Sequence, residues 1–252
     1  MFSVETRGSV VRITMQRSPV NALNNEFVTA FDRVLDDVEG RPEIAVMHLR
    51  SDQKAFCGGA DLAQVETRFA MEGGANVMVR DVRGIQRLFD RIESLPCVTL
   101  AEIGSAALGG GFELALACDL RIVANEARLG LPETRLGLLP GAGGTQRLTR
   151  LCGPGTAARI ILAGDIVDGL EACRLGMVQW SVPAGDLAAE AAALAERIGA
   201  LSVAALRASK RCIARVSPLA RSGYEDELQC VHALTTQEDT QARIGAFFAR
   251  RP

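Results

Sequence analysis

Lysine is nearly missing: Lys54 and Lys210 are the only two, so arginine supplies almost all of the 28 basic side chains. Against 30 acidic residues the formal net charge is -2, which removes any global attraction to nucleic acid or anionic lipid. Histidine occurs only at His48 and His232, far apart on a predicted strand and a predicted helix. Zinc chemistry and Ser-His catalysis are therefore unsupported, no metal site is expected, and His48, flanked by apolar residues, is read as structural. No GxxxxGK phosphate loop, GxSxG elbow or GxGxxG fingerprint is present. The longest apolar runs fall short of the roughly 18 residues a spanning helix needs. The stretch Met1 to Glu5 lacks a basic or apolar leader region, so a cytoplasmic protein without a membrane partner is expected. None of the seven cysteines forms a CxxC pair, and most lie in apolar runs, such as Cys97 and Cys118. They read as reduced core residues, with Cys57, in a loop, as the candidate reactive thiol.

What the chain has is apolar content, 48% of 252 residues, enough for a large core. Val10 to Met15 predicts a strand after the Gly8 turn. Phe27, Phe31, Val34, Leu35 and Val38 recur at helical spacing, with Asn24 or Asn25 as the cap. Ile44 to Leu49 predicts a strand, and the loop 54–61 leads from it into a polar helix. A helix follows over Asn76 to Glu93, then a strand over Val98 to Ile103. Gly109-Gly110-Gly111 opens a short helix, Phe112 to Ala117, followed by a strand over Leu120 to Val123. Beyond Pro140 helices dominate, with one strand near Met177 to Val182 and a helical tail broken at Ser217-Pro218. Alternating strands and helices followed by a helical tail define an α/β protein.

Two glycine-bearing turns, each running from a strand into a helix, stand out: Cys57-Gly58-Gly59-Ala60-Asp61 and Leu108-Gly109-Gly110-Gly111-Phe112. Such turns let a ligand approach the main chain, and helix N-terminal amides can hold a developing oxyanion. They can equally be tight connections and nothing more. Two carboxylates lie in apolar company, Glu113 inside the second turn's helix and Glu133 after Leu129-Gly130-Leu131-Pro132. Each is either kept for proton transfer or committed to structure, Glu113 to the helix dipole and Glu133 to Arg135 or Arg128.

At these residues the sequence resembles the enoyl-CoA hydratase/isomerase, or crotonase, superfamily. The resemblance begins at Arg17-Ser18-Pro19 and Asn21-Ala22-Leu23-Asn24 and continues through 55–62. It is strongest over 107–119 (ALGGGFELALACD) and 130–148 (GLPETRLGLLPGAGGTQRL). It implies a spiral of repeated ββα units with a C-terminal helical segment, divided into a core with the active site over 1–195 and an oligomerisation segment over 196–252. It implies an enoyl-CoA hydratase adding water to a trans-2-enoyl-CoA, with coenzyme A as part of the substrate and no separate cofactor. By resemblance the thioester oxygen meets the amides of Ala60 and Gly110, and the water lies between Glu113 and Glu133. The CoA passes near Ala22, Leu23, Ala60, Asp61 and Leu62, and the tail 246–251, with Phe248, meets the nucleotide of a neighbouring subunit. A homotrimer or dimer of trimers is implied. Gly58, where relatives often have alanine, and the shortened 19–21 segment depart from the pattern.

Rival readings use the stripe Arg80, Arg83, Arg87 and Arg91 on the predicted 76–93 helix. It would suit a carboxylated or branched enoyl-CoA such as 3-methylglutaconyl-CoA, or RNA, although the net charge and scarce aromatics oppose nucleic acid. Otherwise it is a solvated face paired with Asp81, Asp90 and Glu93. A Δ3-Δ2 isomerase is a further rival.

Overall fold

The computed structural model describes residues 1–214, 228–229 and 231–249. Strand β1 (Phe2–Arg7) pairs antiparallel with β2 (Val10–Met15) across the Gly8 turn. On β2 the side chains of Val11, Ile13 and Met15 are buried and those between them are half-exposed, the period of a sheet with one interior face. Helix α1 (Asn25–Glu39) is capped by Asn24, whose side chain accepts a hydrogen bond from the Phe27 amide at 2.8 Å. Phe27, Phe31, Leu35 and Val38 form its buried stripe.

From there the chain winds in repeating turns, each giving one strand to a large sheet, one to a small sheet, and then helix. The first turn is β3 (Val46–Ser51), β4 (Ala55–Cys57), α2 (Leu62–Ala70) and α3 (Gly74–Ser94). The second is β5 (Val98–Ile103), β6 (Ala106–Leu108) and α4 (Gly110–Leu116). The third is β7 (Leu120–Ala124), β8 (Leu129–Gly130), a 3-10 turn over Pro132–Leu136 and α5 (Gly144–Leu162). β9 (Ile166–Val167), α6 (Gly169–Arg174) and β10 (Trp180–Val182) complete the winding. The large sheet has the order β1-β2-β3-β5-β7-β10 and the small one β4-β6-β8-β9. This is the spiral of repeated strand-strand-helix turns, followed by helices, that the sequence resemblance implies.

Helix α7 (Leu187–Gly199) lies on the large sheet and buries Leu187, Ala191, Leu194, Ala195 and Ile198. Helix α8 (Val203–Ala214) is tied down by Lys210, whose ammonium donates to the Cys97 carbonyl at 2.9 Å and to Asp119 at 2.6 Å. Helix α9 (Glu238–Ala249) joins a second apolar cluster, in which Val65, Met78, Val231 and Ile244 are buried beside Leu136, Leu139 and Phe248. The break at Ser217-Pro218 lies outside the described residues.

The expected strands over 10–15 and 98–103 match the observed spans, and the others shift by a few residues. The strand expected near Met177 is confined to Trp180–Val182, because Met177 and Val178 are buried without joining a sheet. The small sheet was not foreseen, since strands of two or three residues are too short to show a period.

The small sheet is what brings the two glycine turns together. β4 and β6 run parallel with Cys57 opposite Ala107, and β6 and β8 with Leu108 opposite Gly130. The segments leaving these strands, 58–61, 109–113 and 131–133, therefore emerge side by side. A methyl group on Gly111 would lie 2.0 Å from the Cys57 carbonyl oxygen, a backbone atom that cannot swing aside. Gly111→Ala is predicted to cost at least ~1–3 kcal/mol of stability, measured by the chemical-denaturation midpoint. A midpoint equal to that of the parent chain would refute this packing.

Candidate active site

The first turn is held by a network below it. Arg17 donates to Asp61 at 2.6 Å and to the Ala22 carbonyl at 3.0 Å, tying the segment 17–23 to the loop 57–61. Buried Asn21 accepts from the Arg17 amide at 2.8 Å and donates to the Phe56 carbonyl at 3.0 Å. Leu23 and Ala60 form a parallel bridge, in which the Leu23 amide donates to the Gly59 carbonyl and the Asp61 amide to the Leu23 carbonyl, both at 2.8 Å. In such a bridge the N–H of Ala60 itself points away from Leu23.

On that far side lies the second turn. The Ala60 nitrogen is 3.7 Å from where a Gly110 Cβ would stand, and the Gly110 nitrogen is 3.4 Å from the corresponding point on Gly59. Gly110 begins α4, so its amide has no carbonyl one turn back to bond to. Gly109 makes the turn with φ 54° and ψ -129°, a conformation essentially reserved for glycine.

Glu133, on the 3-10 turn, sits directly over this glycine: its Oε1 is 2.9 Å from the position of a Gly109 Cβ. Glu113, one turn into α4, is 2% exposed. Its Oε1 accepts hydrogen bonds from the amides of Ala142 at 2.8 Å and Gly144 at 2.7 Å. Gly144 is the first residue of α5, so the carboxylate sits at that helix's N-terminus, where amides and dipole favour an anion. The dipole that holds Glu113 is thus that of a different helix from its own.

Of the sequence-picked groups, Ala60 and Gly110 thus lie side by side, Glu133 sits over the glycine that precedes Gly110, and Glu113 follows on the same short helix with its carboxylate on the 142–144 amides. Ala22, Leu23 and Asp61 border these turns through the Arg17 network and the bridge, and Leu62 opens α2 directly after Asp61. Phe248 lies elsewhere, in the cluster with Val65, Met78 and Ile244 of its own chain; Arg250 and Arg251 fall outside the described residues. Sequence reading missed the Ala142 and Gly144 amides, although the Gly-Ala-Gly-Gly run at 141–144 was the signal available. It also missed Gln86, whose Nε2 donates to the Gly141 carbonyl at 2.8 Å, and Arg147, which donates to the Ala142 carbonyl at 3.0 Å.

The arginine stripe pairs differently from the expectation. Arg91 reaches across to Asp32, Asp36 and Glu39 on α1, at 3.3, 2.6 and 2.9 Å. Asp81 is taken by Arg68 at 2.8 Å, and Asp90 and Glu93 by Arg147 at 2.8 and 2.9 Å. These acids point to neighbouring elements rather than back along their own helix. His48 is buried on the large sheet with Nε2 2.8 Å from Glu102, lining a separate cavity of about 370 Å³ with Arg12 and Ala195. Among the described residues no group of three or more His, Cys, Asp or Glu could hold a metal, and no helix is long and apolar enough to cross a membrane.

Cys57 is buried beneath the first turn, where its thiol donates to the Asn21 carbonyl at 3.1 Å. Burial pushes its pKa up to about 12, so at pH 8 it is a neutral thiol and a poor nucleophile. A thiol-directed alkylating reagent at pH 8 is predicted to modify exposed Cys212 in the native protein and to reach Cys57 only after unfolding. Mass spectrometry of the digested protein checks this, and early modification of Cys57 would contradict it.

The profile of the enoyl-CoA hydratase/isomerase family matches residues 5–252. A probable mitochondrial enoyl-CoA hydratase 2 of Arabidopsis thaliana is 35% identical over 246 residues, covering 96% of this chain and 80% of that protein. The short-chain-enoyl-CoA hydratase of Clostridium acetobutylicum is 35% identical over 214 residues, 84% of this chain and 80% of that protein. Among solved structures, an enoyl-CoA hydratase from Bacillus anthracis superposes with a TM-score of 0.79 at 33% identity, covering 99% of this chain and 96% of that one.

Proposed function

Since the chain belongs to the enoyl-CoA hydratase/isomerase family, whose profile covers it almost end to end, we propose that it is a hydratase adding water reversibly and syn across a trans-2-enoyl-CoA thioester. The observation that carries this reading is the pair of carboxylates at one junction of turns, Glu133 over Gly109 and Glu113 on the amides of Ala142 and Gly144. Isomerisation moves a proton between carbons and needs one such group, whereas hydration handles a water and a carbon together.

In this reading the thioester oxygen lies between the Ala60 and Gly110 amides. Fixed donors there stabilise the negative charge that reaches this oxygen when the β-carbon is attacked. Glu113 orients the water and takes its proton, and Glu133 delivers a proton to the α-carbon. Dehydration uses the same groups in reverse. Coenzyme A runs past Ala22, Leu23, Asp61 and Leu62 as part of the substrate. Assembly as a homotrimer or dimer of trimers and a cytoplasmic location belong to the same proposal.

Glu113→Gln and Glu133→Gln are each predicted to lower kcat by at least about 10²-fold, because each removes one proton-transfer group, while substrate binding changes little. Loss of enoyl absorbance across a series of chain lengths, with a carboxylated enoyl-CoA included, reads both the rate and the preferred acyl group. Near-native hydration of the best substrate by either variant would end the two-glutamate reading.

A further inference from the structure

We infer that Gln86 is a positioning residue for Glu113, acting through the single peptide unit that joins Gly141 to Ala142. The inference rests on the reading of Glu113 as the carboxylate that orients water.

Gln86 projects from α3, far from Glu113 in sequence, and is 4% exposed. Its Nε2 donates to the Gly141 carbonyl at 2.8 Å. The N–H of that same peptide belongs to Ala142 and donates to Glu113 Oε1, also at 2.8 Å. In a trans peptide the C=O and N–H point in opposite directions, so Gln86 and Glu113 hold opposite edges of one plane. The next peptide is fixed as well: Arg147, 3% exposed, donates to the Ala142 carbonyl at 3.0 Å and is anchored to Asp90 and Glu93 on α3. Helix α3 thus supplies one direct and one relayed clamp to this loop.

Two consequences follow. With glycine at 141, 143 and 144, the loop has little intrinsic preference for the conformation that aims the Ala142 amide at the carboxylate. A donor on the Gly141 carbonyl opposes rotation of that peptide. It also polarises the unit and strengthens the N–H at its other end, by about 10–30% per bond in a hydrogen-bonded chain. Losing the Gln86 donor leaves the Glu113 carboxylate less firmly held and less well stabilised as an anion. Its proton affinity then rises, and activity that needs the ionised form is lost at a higher pH on acidification.

The test compares Gln86→Met, which keeps the length and removes the donor, with the parent enzyme. Expected results are a fall in kcat of up to about tenfold, as for loss of one neutral hydrogen bond, with KM nearly unchanged. The acid limb of the kcat profile should move to higher pH. Purely structural damage would lower the melting temperature without moving that limb. In the Glu113→Gln background the same substitution should cost little more. If Gln86→Met does not fold, Gln86→Asn, which keeps the amide but is too short to reach, takes its place with the same readouts. A folded Gln86 variant with parental kcat and an unmoved acid limb overturns the inference while leaving the function intact. Near-native turnover by Glu113→Gln instead removes the functional reading beneath it.

Discussion

Two stretches of main chain, 57–61 and 108–112, pass each other with no room for side chains between them. A Cβ on Gly59 would lie 2.8 Å from the Leu108 carbonyl oxygen, and one on Gly111 would lie 2.0 Å from that of Cys57. The contact is backbone against backbone, so neither partner relaxes by a rotamer change. Everything in the candidate site is measured from this crossing. It sets the Ala60 amide beside Gly110, and it turns α4 so that Glu113 follows immediately. The register of β6 against β8 brings Glu133 over Gly109. A large, well-packed interior, with Phe27, Phe31, Phe56, Phe89 and Phe112 almost wholly buried, holds the strands that carry both turns.

Both halves of that crossing stood out in the sequence as glycine runs between a strand and a helix, but spacing alone did not separate a site from two tight connections. The carboxylates were legible too, as acids in apolar company. Their surroundings were not. Glu113 is held by amides 29 and 31 residues further on, and no local pattern announces a contact of that separation. The same limit applies to the acids of α3. Asp81, Asp90 and Glu93 share a helix with the arginine stripe, yet the folded chain gives them Arg68 and Arg147, from α2 and α5. Helical spacing shows which residues share a face; the partner each one finds depends on what packs against that face. Long, capped elements such as α1 could be read closely, whereas the strands of the small sheet could not.

The two glutamates are supported by different means, which bears on the division of chemistry proposed for them. Glu113 takes two amide donors at the start of α5 through one of its oxygens, an arrangement that fixes the carboxylate in space. Amide donors at a helix N-terminus stabilise the carboxylate as an anion and hold it in one orientation. Glu133 rides on a five-residue 3-10 turn, a short element whose position depends on its neighbours. One of those neighbours is the apolar cluster around Leu136 and Leu139, where residues from α2, α3 and α9 also pack. An acyl group that displaced this cluster would press on the turn carrying Glu133, whereas Glu113 is tied to the start of α5.

Helix α3 links these two arrangements. Its outward arginines drew attention in the sequence, but Arg91 is spent on the acids of α1 and serves packing between helices. The inward side carries buried Gln86, with its amide on the Gly141 carbonyl, and Val82, 3.2 Å from where a Gly141 Cβ would stand. A buried amide among aliphatic side chains costs free energy unless its hydrogen bonds are made. The bond that Gln86 makes opposes rotation of the Gly141–Ala142 peptide, whose amide reaches Glu113. On this argument the part of α3 that bears on turnover is its polar interior residue, while Arg91 on its outer side serves the packing of α3 on α1.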